Sequence, residues 1–142
     1  MIRIADWRDL PGIEGLMRGL HAAKDMEKQF RADYVCGLAF VEVLLSKPDS
    51  VVFVAERDGV LTGVAAMTRH LYPYSGEQVA SEMLFYSRGG EGVGLLKACT
   101  EWAKEVGASR CIFCAQEGDE RFQRFLGRFG YEPVETAFVL RF

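Results

Sequence analysis

In residues 81–103, SEMLFYSRGGEGVGLLKACTEWA, an apolar run gives way to an arginine, four glycines within six residues, and then a helical pattern. Glycine weakens a helix by about 1 kcal/mol relative to alanine, so such a cluster calls for a physical reason. One reason is close approach of a ligand to the backbone. With no Cβ at Gly89, Gly90, Gly92 and Gly94, bare N–H groups can face an anion at the positive end of the following helix. A phosphate suits such a site, and Arg88 can add a charge-assisted contact. The alternative is a flexible turn that only reverses the chain.

At 142 residues and 49% hydrophobic content, the chain is expected to form one compact domain spanning residues 1–142. The formal charge is −3 and the basic residues are scattered, densest around Arg121 to Arg128, which argues against a nucleic-acid partner. No apolar run approaches the length of a membrane span, and MIRIADWRDL is charged too early for a signal segment, so the expected location is cytoplasmic, with no membrane partner. Cys36, Cys99, Cys111 and Cys114 have neither the density nor the context of a disulfide scaffold. In CIFC the two thiols three residues apart point to opposite faces of a strand, so buried small apolar side chains are expected there and no metal site.

The segment MIRIADW reads as a first strand, and Asp9 before Leu10-Pro11 as a helix start with Ile13, Leu16, Met17 and Leu20 on one face. A polar stretch from Lys24 to Asp33 precedes a second helix, expected to present Val35, Leu38, Ala39, Glu42 and Leu45 on one side. The run VVFVAERDGVLTGVAAMTRHL predicts a hairpin turning at Asp58-Gly59. Residues 78–87 form the next strand. Leu95, Leu96, Cys99, Trp102, Ala103 and Val106 mark an amphipathic helix closed by Gly107. SRCIFCAQ is a short buried strand; Asp119 caps a helix striped by Phe122, Phe125, Leu126 and Phe129; ETAFVLRF is the last strand. The fold class is therefore α/β (α+β): a mixed, mostly antiparallel central sheet with helices on both faces, parallel only across the crossover through Leu95 to Val106. In such a sheet, a strand ending in a glycine loop before a helix is a favoured ligand crevice.

A Walker-type loop requires Lys-Ser/Thr directly after its last glycine, yet Lys97 stands three residues beyond Gly94. A dinucleotide fingerprint belongs after the first strand of a βαβ unit, whereas GGEGVG follows an antiparallel hairpin with the wrong spacing. The whole order resembles the GNAT superfamily of acyl-CoA-dependent N-acetyltransferases. YSRGGEGVGLLKACTEWAKEVGAS is similar to its Q/R-x-x-G-x-G/A loop, helix and following strand, and FLGRFGYEPV to its late helix and Gly-Tyr/Phe end. LHAAKDMEKQF and LKACTEWAKEVGA resemble small bacterial and phage-encoded members. Gly89 stands where the motif expects Gln or Arg, with Arg88 one place early.

The resemblance implies acetyl-CoA as cosubstrate and a small-molecule or peptide amine as acceptor. It implies that the backbone of Leu84, Phe85 and Tyr86 pairs with the pantetheine arm, splayed from the strand at residues 111–116. The loop of Arg88, Gly89, Gly90, Glu91, Gly92, Val93 and Gly94 would then hold the pyrophosphate. Direct transfer needs a proton acceptor, for which Glu82 is the provisional general base, and its alternative is a solvent-facing glutamate. The family's tyrosine that protonates the leaving thiolate falls on Leu126; Tyr131 or Tyr86 are the substitutes, and both are also read as core or rim aromatics. Asp25, Glu27, His21, His70, Tyr72 and Tyr74 lie in the segments expected to build an acceptor site. The rival readings are a CoA-binding module without transferase activity and an interaction domain that has lost the cofactor. Pairing of TAFVLRF across a homodimer is a further expectation.

Overall fold

The computed structural model describes residues 1–24, 26 and 31–142. Its elements follow in the order β1 (Ile2–Ile4), a 3₁₀ turn (Trp7–Asp9), α1 (Leu10–Ala23), α2 (Tyr34–Ser46), β2 (Ser50–Arg57), β3 (Val60–Leu71), β4 (Gln78–Ser87), α3 (Gly92–Glu105), β5 (Arg110–Ile112) and α4 (Glu120–Arg128). The five strands form one sheet in sequence order, antiparallel from β1 to β4 and parallel between β4 and β5. The mixed sheet and its single parallel crossover are as the sequence predicts.

Alternation along the strands feeds two apolar layers. Val52, Val54, Val64 and Ala66 pack with Ile13 and Leu16 of α1 and with Val41 and Leu44 of α2. On the opposite face Ala55, Ala65, Met67 and Ala80 pack with Leu95, Cys99 and Ala103 of α3. The β2–β3 turn is where expected: Asp58 and Gly59 both take positive φ, 52° and 76°, the geometry of a two-residue hairpin loop.

The start of α1 differs in detail from the sequence reading. Asp6 caps the 3₁₀ turn, accepting from the Arg8 N–H, while the Asp9 carboxylate is taken by Arg3, whose Nη1 and Nη2 each donate to it at 2.8 Å. Arg3 also holds Glu56 at 2.7 Å, so β1, the 3₁₀ turn that leads into α1, and β2 share one guanidinium, which keeps the buried Asp9 carboxyl below its usual range.

Three expectations are corrected. In α2 the buried residues are Val41 and Leu44, while Val35, Ala39 and Glu42 face outward. The helix is apolar on nearly every side, so periodicity alone could not choose its face. The CIFC segment is not buried: Cys111 is half-buried and Cys114 exposed, because β5 is a three-residue edge strand covered on one side only. All four cysteines are free, and among the described residues no cluster suits a metal. Finally, ETAFVLRF forms no strand; residues 131–142 have neither helix nor ladder, since β-rich sequence needs an edge to pair with.

Strand β4 contains a bulge. Ala66 pairs with Leu84 but the next β3 residue, Met67, pairs with Glu82, leaving Met83 opposite no partner. Glu82 thereby lies on the face of Met67 and Ala80, beneath α3. Leu84 and Tyr86 face α1, and Phe85 returns to the α3 side.

Candidate active site

The β4–β5 ladder ends after three pairs, the last being Ser81 with Ile112, although β4 continues for six more residues. Beyond Ser81 the strands part, and among the described residues no strand neighbours the β4 edge from Glu82 to Ser87 on that side. The side chains along this edge are engaged elsewhere. Phe85 lies edge-on to Phe113 with centroids 5.5 Å apart and tilts against Phe122 at 5.6 Å, while Leu84 and Tyr86 pack in the α1 layer. What the edge offers to a ligand is backbone.

Glu82 stands where the strands part. Its Oε2 accepts from the Cys114 N–H at 3.4 Å, a long bond that satisfies the carboxylate weakly. Burial pushes its carboxyl up to about 7, against the smaller opposing effect of that N–H. A carboxylate poised there takes up and releases a proton near neutral pH. The same burial raises the Cys99 thiol, and the neighbouring charge of Glu82 adds to it.

The loop after β4 ends at the α3 N-terminus, whose first N–H groups at Gly92, Val93 and Gly94 have no intrahelical acceptor. The glycines divide by purpose. A Cβ on Gly94 would meet Ile2 Cδ1, the end of a flexible side chain that would have to turn, so α3 lies close on β1 there. A Cβ on Gly90 would meet nothing within 4 Å, and one on Gly92 only ordinary contacts at 3.9 Å with Phe125 and Ser87. Neither takes positive φ. Within the chain itself, neither packing nor conformation demands glycine at these two positions, which leaves room for a ligand to reach the backbone.

Two charged loop residues are otherwise occupied. Arg88 Nη2 donates to the Gly15 carbonyl of α1 at 2.7 Å, and Glu91 pairs with Arg57 of the hairpin. The sequence reading did not single out the α4 guanidiniums: Arg121, Arg124 and Arg128 line a cavity of about 380 Å³ together with Phe125, whose ring also reaches toward Gly92. Their i, i+3, i+7 spacing in the densest basic stretch was the available signal. Lys24, at the end of α1, forms an ion pair with Asp119, the α4 N-cap, joining the two helices that flank the parted strands.

The general-acid candidates differ in their surroundings. Leu126 is buried in the apolar stripe of α4. The Tyr131 hydroxyl lies 2.8 Å from Thr100 Oγ1 and 3.3 Å from Cys111 Sγ, and burial raises its pKa. The Tyr86 hydroxyl and Arg88 Nη2 both lie over Gly19 of α1.

The proposed acceptor residues are not brought together. His21 stacks edge-on with Tyr34 near the α1–α2 connection, whereas His70, bonded to Ser81 Oγ at 2.8 Å, and the Tyr72–Tyr74 pair sit at the other end of β4 from the glycine loop. Asp25 and Glu27 lie outside the described residues. A cavity of about 640 Å³ at the start of α2 is lined by Glu14, Arg18, Arg31 and Asp33 among others. Among the described residues, no helix is long and apolar enough to cross a membrane.

A comparison with curated proteins gives no match. Solved structures are similar over essentially the whole chain. A transcriptional regulator from Bacillus halodurans superposes with a TM-score of 0.82 at 20% identity, covering 100% of this chain and 99% of its own. A ribosomal-protein-alanine N-acetyltransferase from Brucella melitensis gives 0.73 at 19%, with 100% and 99% covered. An aminoglycoside N-acetyltransferase in complex with CoA gives 0.81 at 19%, with 99% and 93% covered. At such identities these likenesses establish the fold. The profile of the acetyltransferase (GNAT) family matches residues 14–131, most of the chain and all of the parted-strand and glycine-loop region, and the chain belongs to that family.

Proposed function

We propose that the chain is an acetyl-CoA-dependent N-acetyltransferase, a single domain over residues 1–142 that passes an acetyl group directly to a primary amine within a ternary complex. The observation that carries this reading is the parting of β4 from β5 immediately before a helix N-terminus at which Gly90 and Gly92 meet no close internal contact. The residues present fit the cosubstrate: an open backbone edge for an amide-bearing arm, free N–H groups for the diphosphate, and α4 arginines that share a cavity with Phe125, the ring that reaches Gly92, for further phosphate charge. Bound there, acetyl-CoA supplies an activated acyl group. The chain's part is to hold the thioester along 84–86, to direct a backbone N–H at its carbonyl oxygen, and to receive the amine proton at Glu82. As the new C–N bond forms the C–S bond breaks, and the sulfur leaves as thiolate; with a thiol pKa of roughly 8.5, this departure does not depend on a tyrosine at Leu126.

A second reading, a CoA-binding module without transfer activity, is favoured by the buried Leu126 and by the engaged hydroxyl of Tyr131. A thermal scan with acetyl-CoA tests what both readings share. At a hundredfold the dissociation constant, ligand adds about 2.7 kcal/mol, an upward shift of several degrees for a chain of this size. No shift at millimolar acetyl-CoA removes both readings, and product formation across a panel of amines separates the first from the second.

A further inference from the structure

One acidic side chain in the loop after β4 carries the wrong charge for a site that takes an anion. Glu91 stands directly before the α3 N-terminus, and its side chain is only 12% exposed. Its Oε1 is held by the guanidinium of Arg57, the last residue of β2. Its Oε2 is buried and, among the described residues, accepts from no donor. That oxygen lies against the loop itself: a Cβ on Gly89 would come within 3.0 Å of it.

A buried carboxylate oxygen without a donor bears its full desolvation cost, and folded chains rarely leave one so. Nothing in the loop's own hydrogen bonding relieves it, since Glu91 makes no side-chain cap to α3. What favours a carboxylate at this point is the positive field of the helix start, the same field that favours a phosphate. The countercharge comes from outside the loop. Arg57 is 64% exposed and stands beside the Asp58-Gly59 turn, so the pair can open toward solvent without disturbing either apolar layer.

We propose that Arg57 is a phosphate ligand held in reserve by Glu91: an incoming diphosphate takes over the guanidinium, and the Glu91 carboxylate leaves the loop for water. This rests on the reading of the glycine loop as the diphosphate site. In the free protein the two charges offset each other. In the complex the phosphate replaces the carboxylate as the partner of Arg57, a planar donor fork suited to either anion, and the buried oxygen gains its hydration. Glu91 and Arg57 thereby set how tightly a phosphate-bearing acyl donor is held.

The test is calorimetric titration of acetyl-CoA into four proteins: the unmodified chain, Glu91→Gln, Arg57→Gln and the double variant. Glu91→Gln should bind about tenfold more tightly, because the amide neither repels a phosphate nor competes strongly for the guanidinium. Arg57→Gln should bind about a hundredfold more weakly, with Glu91 left uncompensated in the loop. The double variant should remain about tenfold weaker than Glu91→Gln, because the ligand has lost the guanidinium itself. If Arg57→Gln fails to fold, the comparison of Glu91→Gln with the unmodified chain decides alone. Equal affinities in that comparison overturn the proposal. So does a double variant that binds as tightly as Glu91→Gln, since Arg57 would then serve only to neutralise Glu91. Absence of binding by all four proteins removes the diphosphate reading of the loop and this proposal together, whereas the other two outcomes remove this proposal alone.

Discussion

Replacing Glu82 with glutamine is expected to lower kcat/KM for amine acetylation by about 10²–10⁴-fold, the usual contribution of a positioned general base. It should also remove the rise of activity with pH through about 7, where this carboxyl titrates. The same substitution should make the protein more stable in mild alkali. Below pH 4.5 the carboxyl is protonated both folded and unfolded. Between 4.5 and about 7 the unfolded chain releases the proton while the folded chain retains it, so stability falls as pH rises across that window. The cost is fully present above about pH 7 and amounts to about 3 kcal/mol at most. Glutamine has no charge to bury, so the variant should gain several degrees at pH 8 and little at pH 4. Thermal scans at the two pH values, beside the rate profile, separate a catalytic carboxylate from a structural one. Activity lost together with stability at both values would mark Glu82 as a packing residue.

The second large effect divides the glycines. Gly90→Asp meets open space and an ordinary backbone angle, so the thermal midpoint of the free protein should hardly change. Acetyl-CoA should bind about a hundredfold more weakly, because the new carboxylate opposes the diphosphate; this corresponds to about 2.7 kcal/mol. Gly94→Ala is the contrast. Its methyl meets only the terminal Cδ1 of Ile2, which a side-chain rotation moves aside, so folding stability should change by no more than about 1 kcal/mol, while ligand affinity stays within a few-fold. Calorimetry of binding and of unfolding on both variants checks the pair. Equal affinities for the Gly90→Asp and unmodified proteins would remove the loop from phosphate binding.

The sequence was legible where pattern and chemistry agree. Residues 78–87 follow a turn, carry an apolar run and stop just ahead of the glycine loop, and β4 occupies those residues. Asp58-Gly59 has one good use between two β-rich runs. Helix α2 was not legible in this way, because YVCGLAFVEVLLS is apolar around its whole circumference and only packing against Met17 and the sheet selects a face. The tail is β-rich, but strand formation needs a partner edge, which local sequence cannot supply. At the site, the glycine loop could be read as a place for an anion, yet nothing in GGEGVG distinguishes Gly94, held by Ile2, from Gly90, held by nothing. Glu82 could be singled out by its place in the strand; its burial depends on Cys114 and α3, brought in from later in the chain.

The unpaired Met83 makes β4 two strands in opposite phase. Ahead of it, even-numbered residues face α3; after it, even-numbered residues face α1. Deleting Met83 would close the bulge and leave the facings intact, because Glu82 would still pair with Met67 and Leu84 with Ala66. Elsewhere in this strand length is quantised: descendants of this sequence can exchange side chains along β4, but a single-residue insertion or deletion at any other position inverts one half of it. Drift at this locus should proceed by substitution, with indels confined to Met83, the turn at residues 72–77 and the loop at 88–91.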